Sequence, residues 1–283
     1  MNSNRASSGK SIFGLFLSNI SLVTWIIIIN FAVYLAEVTA LLINPDYVNY
    51  FALNAGNILR GKYIWTLFTH MFSHVNFFHL FVNMFSLWFI GGFVEKIIGR
   101  KRFIWFYLIA GLFAGILSAL LAGFFGFGIW AKIFGSPDIP MLGASGAIFG
   151  LVGLLAVLVP NARVYLIAGP LIAIIIGAIA GAFVSSPVFL GVIGFAVNLY
   201  IILSIVLMFS FNPKMRKIIV PIQMPFWILP IVAIVPLVII GMFVFLPIGN
   251  VAHFGGLIAG LIYGTYLRIK YYKKVQMLRR MVR

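Results

Sequence analysis

The 283-residue sequence has few charged residues, only four acidic ones and no cysteine. Charged residues make up 8% of the chain and hydrophobic residues 63%. A soluble domain carries roughly a quarter charged residues, so this composition cannot cover a surface that faces water. The lack of cysteine excludes a disulfide scaffold, and the high hydrophobicity excludes a disordered chain. The composition therefore predicts a membrane protein.

Uncharged stretches long enough to cross a bilayer predict an all-α, polytopic helical bundle, because a span needs about 20 apolar residues. Four spans are expected near residues 19–43, 76–94, 103–123 and 143–160. Residues 164–213 and 218–267 each contain 50 residues without a charge, which is too long for one span. Each is therefore expected to form a two-span hairpin, with breaks at the turn residues 185–187 and 247–250. The total is eight transmembrane helices.

The 20 Lys and Arg residues indicate how the chain is oriented. If the N-terminus is cytoplasmic, 17 of the 20 fall on the cytoplasmic side, as the positive-inside rule requires. Nearly all of them flank apolar runs, so the net charge of +16 does not predict a nucleic-acid partner. We expect one multi-pass domain, 1–283, in the plasma membrane with both termini in the cytoplasm. Its parts are an N-terminal segment 1–18, a helical core 19–270 that includes the inserted hairpin 164–213, and a basic tail 271–283.

Polar groups inside apolar helices indicate a functional site, because they are costly in hydrocarbon. His79 and Asn83 lie four residues apart and so share one face of the predicted second span. Ser145 opens the predicted fourth span among small residues, where a serine is either a packing position or a nucleophile. The four acidic residues all fall at span ends or in loops: Glu37, Asp46, Glu95 and Asp138. A Ser–His dyad is therefore the form of serine catalysis that this chain can build.

A metal site is not expected. His70 and His74 have the i, i+4 spacing of a helix face, but no acidic residue and no third ligand lies near them in the sequence. We expect these two histidines to hydrogen-bond the interfacial loop 44–75 instead. No cofactor is predicted.

Three motifs, taken together, resemble the rhomboid intramembrane serine proteases. They are Gly143-Ala-Ser-Gly-Ala147, His79-x-x-x-Asn83 and Ala252-His253-x-x-Gly256-x-x-x-Gly260. The runs Thr69-His70-Met-Phe-Ser-His74 and Gly91-Gly92-Phe-Val-Glu95-Lys96 also resemble that family. The resemblance covers roughly residues 20–167 and 218–270.

The resemblance implies an intramembrane endopeptidase that cleaves single-span membrane proteins near the outer face of the lipid bilayer. It implies that Ser145 is the nucleophile and that His253 is the general base. It also implies that His79, Asn83 and the Ser145 backbone N–H stabilise the oxyanion. The predicted spans agree, because they put all four residues in the outer halves of their helices, at similar depth.

The sequence departs from the family's pattern in three places. Thr66 follows the loop tryptophan where the family often has arginine, and Phe149 stands where a tyrosine can lie against the catalytic histidine. The hairpin 164–213 is an addition to a core of six spans, and we assign it to packing or to contact with clients.

The sequence is also compatible with two other functions. The first is a rhomboid-like pseudoprotease that binds transmembrane clients without cleaving them; such relatives typically lose the serine or the histidine, and this chain keeps both. The second is a transporter, suggested by eight spans and broken helices. A transporter leaves Ser145, His253, His79 and Asn83 without a role. No particular oligomeric state is indicated.

Overall fold

Helices form most of the chain that the computed structural model describes, which is residues 20–184, 186–209, 213–243 and 249–282. In chain order they are α1 (Leu22–Ile43), α2 (Val48–Phe51), α3 (Ala55–Leu59), α4 (Thr66–Thr69), α5 (Phe77–Ser86), α6 (Gly92–Ile98), α7 (Arg100–Phe125), α8 (Ala131–Phe134), α9 (Ser145–Leu158), α10 (Ala168–Phe183), α11 (Pro187–Met208), α12 (Pro213–Lys217), α13 (Leu229–Gly241), α14 (Asn250–Lys270) and α15 (Tyr272–Met281). Two strands, β1 (Arg163–Ile167) and β2 (Pro221–Pro225), interrupt this order. Apart from these short strands, the predicted helical bundle is confirmed.

Four helical stretches among the described residues are long and apolar enough to cross a membrane. They are Leu22–Ile43, Phe77–Ile98, Arg100–Phe125 and Pro187–Met208. The chain is therefore a multi-pass membrane protein, and the first three stretches agree with the spans expected near 19–43, 76–94 and 103–123. Helices α9, α10 and α13 are apolar but shorter, so the count of eight spans stays a prediction. The segment 1–18 and part of the expected break at 247–250 lie outside the described residues.

Side-chain oxygens fix the starts of α1 and α5, one from a distant helix and one from the residue directly before the helix. The Glu95 carboxylate of α6 accepts hydrogen bonds from the backbone N–H groups of Leu22 and Val23, at 3.0 and 3.2 Å. The Asn76 side-chain oxygen accepts from the His79 N–H at 2.8 Å. The first N–H groups of a helix have no partner within it, so these bonds set where each helix begins.

An antiparallel two-stranded ribbon joins the two ends of the inserted hairpin. Strand β1 pairs with β2 in a register that places Tyr165 opposite Gln223. The run Val164-Tyr-Leu-Ile167 favours a strand, because β-branched and aromatic side chains suit a pleated surface. The first four residues of the predicted hairpin 164–213 therefore belong to a strand, and its first helix begins at Ala168.

The inserted hairpin consists of α10 and α11, which pack against each other. Its outer surface is apolar, with Phe183 85% exposed, as in a helix pair that faces lipid. The break between the two helices lies where residues 185–187 predicted it. At the far end of α11, the Phe209 ring contacts Phe85 and Phe89 of the second span, with centroids 6.2 and 6.0 Å apart.

Helix α9 lies at the centre of the bundle, packed against α7 and α14, and most of its residues are buried. Its end is held by the basic tail, because Arg279 of α15 donates to the carbonyl oxygens of Leu158 and Val157 at 3.0 and 2.7 Å. The last carbonyls of a helix have no partner within it, so this guanidinium caps α9. These two hydrogen bonds hold the C-terminal end of α9, and Ser145 lies at its N-terminal end.

Candidate active site

Ser145 is the first residue of α9, and the turn before it is tied to the loop that precedes α5. The Gly143 N–H donates to the His70 carbonyl oxygen at 2.9 Å. Gly143 has φ of +127°, a conformation that a residue with a side chain rarely adopts. Glycine is therefore required at this position for the chain to turn into α9 with Ser145 at its start.

His253 lies one turn into α14 and meets the start of α9. Its Nε2 is 2.8 Å from the Ser145 Oγ, a normal hydrogen-bond distance, although the two residues are 108 positions apart in the chain. An imidazole at this distance from a serine hydroxyl can take its proton. The structure thus brings together the nucleophile and the base that the resemblance implied.

Glycines on α14 allow this approach. A Cβ atom at Gly256 would overlap the carbonyl oxygen of Gly146, and one at Gly260 would overlap that of Gly150. The backbones of α9 and α14 therefore touch directly, as small residues permit in membrane helices. Because His253 lies one turn before Gly256, this contact sets the distance between His253 and the start of α9.

Phe149 covers one face of the His253 ring. The two rings are stacked, with centroids 4.3 Å apart and planes at 19°. Phe149 lies one turn after Ser145 on the same face of α9. The stack fixes the plane of the imidazole in which Nε2 points at the serine.

His79 and Asn83 lie one turn apart on α5 and face the backbone just before Ser145. An ideal Cβ placed on Gly143 would be 2.7 Å from the His79 Cε1 and 3.6 Å from the Asn83 Nδ2. The Asn83 Nδ2 group is buried and has no hydrogen-bond partner among the described residues. A buried donor without a partner is costly, and it can donate to a group that enters the site.

His70 and His74, the two loop histidines, are buried beside this site. The His70 Nδ1 donates to the Thr66 carbonyl oxygen at 2.9 Å, and burial lowers the pKa of His70 to about 4, so the ring is neutral at pH 7. Thr66, one of the departures from the family pattern, is itself buried and donates to the Tyr63 carbonyl oxygen at 2.7 Å. Within the described part of the chain, no three His, Asp or Glu side chains lie close enough to hold a metal ion.

One residue near the site was given no role by the sequence analysis. Glu37 was expected at the outer end of the first span, with no part in the chemistry. Its side chain is only 4% exposed, and it accepts a hydrogen bond from the His74 N–H at 3.3 Å. The signal that could have found it is an ionisable residue within an apolar helix.

The chain is similar to known proteins of one family. Residues 61–199 match the family model described as Rhomboid domain; the match includes His79, Asn83 and Ser145 and ends before His253. The chain is 30% identical to "Rhomboid protease GluP" of Bacillus subtilis over 134 residues, which is 47% of this chain and 24% of that protein. It is 35% identical to "RHOMBOID-like protein 1" of Arabidopsis thaliana over 115 residues, 40% of this chain and 26% of that protein.

A third relative is matched over more of its length. The chain is 28% identical to "Rhomboid protease GlpG" of Salmonella choleraesuis over 166 residues, which is 57% of this chain and 53% of that protein. Across these three relatives the chain spans between 24% and 53% of the relative's length.

Proposed function

The chain belongs to the rhomboid family, and from this we propose that it is an intramembrane serine endopeptidase. Ser145 is the nucleophile and His253 the general base. The observation that carries the proposal is the 2.8 Å contact between the Ser145 Oγ and the His253 Nε2. A serine packed only for its small size would not need an imidazole nitrogen at hydrogen-bond distance.

The proposed reaction begins when the Ser145 Oγ attacks the carbonyl carbon of a peptide bond and the His253 Nε2 takes the hydroxyl proton. The C–N bond then breaks, and the His253 imidazolium gives that proton to the leaving amine. Water attacks the acyl-enzyme with His253 again as the base. This step releases the new carboxyl end of the substrate and restores the Ser145 hydroxyl.

His79, Asn83 and the Ser145 backbone N–H stabilise the oxyanion of the tetrahedral intermediate in this proposal. The position of both α5 side chains against Gly143 supports it, as does the unpartnered Asn83 Nδ2. Donors held in place before the reaction stabilise the developing charge without having to reorganise.

The proposed substrates are single-span membrane proteins, cleaved near the outer face of the plasma membrane. The family of the chain and its apolar helices support a substrate that arrives through the bilayer. The positive-inside rule supports the orientation, with both termini in the cytoplasm.

Cleavage of a tagged single-span protein by the purified chain tests the proposal. The substrate helix should carry helix-destabilising residues, because a helix must unwind before its peptide bond becomes accessible. Ser145→Ala and His253→Ala should each abolish cleavage, and the double variant should be no worse than either, because the pair acts as a unit. Ser204→Ala, a buried serine of the inserted hairpin, is the matched control and should cleave normally. Substantial cleavage by Ser145→Ala would contradict the proposal, and binding without cleavage by the wild type would favour a pseudoprotease.

A further inference from the structure

The first span carries a buried carboxyl group that has apolar residues on both sides of it in the sequence. Glu37 lies in α1, between Ala36 and Val38, and its side chain is 4% exposed. An ionisable side chain within a membrane helix is costly and indicates a function by default. The proposed reaction leaves this residue unused.

The Glu37 carboxyl holds the segment that leads into α5. Its Oε2 accepts from the His74 backbone N–H at 3.3 Å. Ser73 and His74 are both buried, at 1% and 4% exposed. This bond gives the buried His74 N–H an acceptor, and an N–H without one would be costly there, so α1 helps to fix the backbone of this segment.

The His74 side chain transmits this position to α5. The His74 and His79 rings meet edge to face, with centroids 5.1 Å apart and planes at 65°. Both ring nitrogens of His74 are buried without a hydrogen-bond partner among the described residues, so packing and the backbone alone hold this ring. Burial lowers the pKa of His74 to about 3, so the ring that meets His79 is neutral at pH 7.

Resting on the proposed function, we propose that Glu37 is a positioning residue for the oxyanion site. It holds the His74 backbone, the His74 ring packs against His79, and His79 thereby faces Gly143 and the serine. Glu37 does not touch the substrate. Its contribution to the reaction passes through His79.

A purely structural role for Glu37 is the alternative, and Glu95 offers a matched control. Glu95 is also buried, at 8% exposed, and also accepts hydrogen bonds from backbone N–H groups, at the start of α1. Glu95 thus contacts the start of α1, whereas Glu37 lies towards the other end of that helix. Glu95→Ala should lower the melting temperature of the protein without changing kcat per active site.

The test measures kcat and KM for a single-span substrate, with active sites counted by fluorophosphonate labelling. Glu37→Ala should lower kcat about tenfold with KM unchanged, less than the 10²–10³-fold expected when an oxyanion donor is lost outright. Glu37→Gln should stay close to the wild type, because its amide oxygen can still accept from the His74 N–H. In a His79→Ala background, Glu37→Ala should cause no further loss, since effects that pass through one residue do not multiply.

A second variant keeps the test decisive if the first one does not fold. If Glu37→Ala is too unstable to purify, His74→Ala removes the ring contact and should lower kcat by a similar factor, again with no further loss beside His79→Ala. A wild-type kcat in Glu37→Ala or in His74→Ala, or losses that multiply with His79→Ala, would overturn the inference while leaving the protease intact. A wild-type chain that is neither labelled nor active would instead overturn the proposed function, and this inference with it.

Discussion

Replacing Gly256 by alanine should separate α9 from α14 and break the hydrogen bond between Ser145 and His253. The added methyl group would lie 2.9 Å from the carbonyl carbon of Gly146 and 3.1 Å from the Gly150 nitrogen, and it would overlap the Gly146 oxygen. Ordinary contact begins at 3.4 Å, and all three atoms belong to backbone that cannot rotate away. The two helices therefore have to move apart by about 1 Å.

That displacement is large compared with the tolerance of the dyad. The distance from the Ser145 Oγ to the His253 Nε2 would grow from 2.8 Å to about 3.8 Å, beyond the limit of a hydrogen bond. A misplacement of about 1 Å at a reacting group can cost on the order of 10²-fold in rate, which corresponds to about 2.7 kcal/mol. The cost in stability should be smaller, because overpacking costs about 1–3 kcal/mol and alanine regains about 1 kcal/mol of helix propensity over glycine.

The assay is kcat for a single-span substrate, with the melting temperature measured on the same samples. Gly191→Ala is the matched control, because this helical glycine of α11 has no atom within 4 Å of the added Cβ. Gly191→Ala should keep the wild-type kcat. A Gly256→Ala variant with wild-type kcat would refute the reasoning that direct backbone contact sets the geometry of the dyad.

His79→Ala and Asn83→Ala should each raise the activation free energy by about 3 kcal/mol and so lower kcat, because each removes one oxyanion donor. Wild-type values of kcat in both variants would remove these residues from the mechanism. Phe149→Ala should lower kcat by up to about tenfold, because a ring stack is worth about 0.5–1.5 kcal/mol; Phe149→Tyr should be near wild type, and an equal loss in both would contradict the stacking role. In this cysteine-free chain, Ser186→Cys should react with a membrane-impermeant maleimide added from outside and Lys217→Cys should not, whereas the reverse pattern would contradict the predicted orientation.

The long helices could be predicted from the sequence because their limits are local. The expected third span, 103–123, lies within α7, which extends to Arg100 at one end and Phe125 at the other. The extra residues at the start are cationic, and long basic side chains reach the interface from within a helix, so the charge did not mark where the helix begins. The π-helical segment Leu87–Gly91 inside the second span left no signal in the spacing.

The strand pair and the polar neighbours of the site depend on contacts between distant segments. The side chains of Val164–Ile167 favour a strand, but so short an apolar run cannot be told from part of a helix by periodicity, and the pairing with residues near 223 decides between the two. The shared face of His79 and Asn83 could be predicted from their spacing, whereas the meeting of Ser145 with His253 could be expected only from the family resemblance. Nothing in the local sequence connects Glu37 to a backbone N–H 37 residues further along the chain.

Covalent labelling of the purified chain by a fluorophosphonate in detergent tests the central claim most directly, because the reagent reports an activated serine and needs no knowledge of the substrate. We expect one label on Ser145, no label on Ser145→Ala, and a strongly reduced rate of labelling on His253→Ala. A folded wild-type chain that stays unlabelled, or that is labelled at the same rate with and without His253, would contradict the proposed Ser145–His253 dyad.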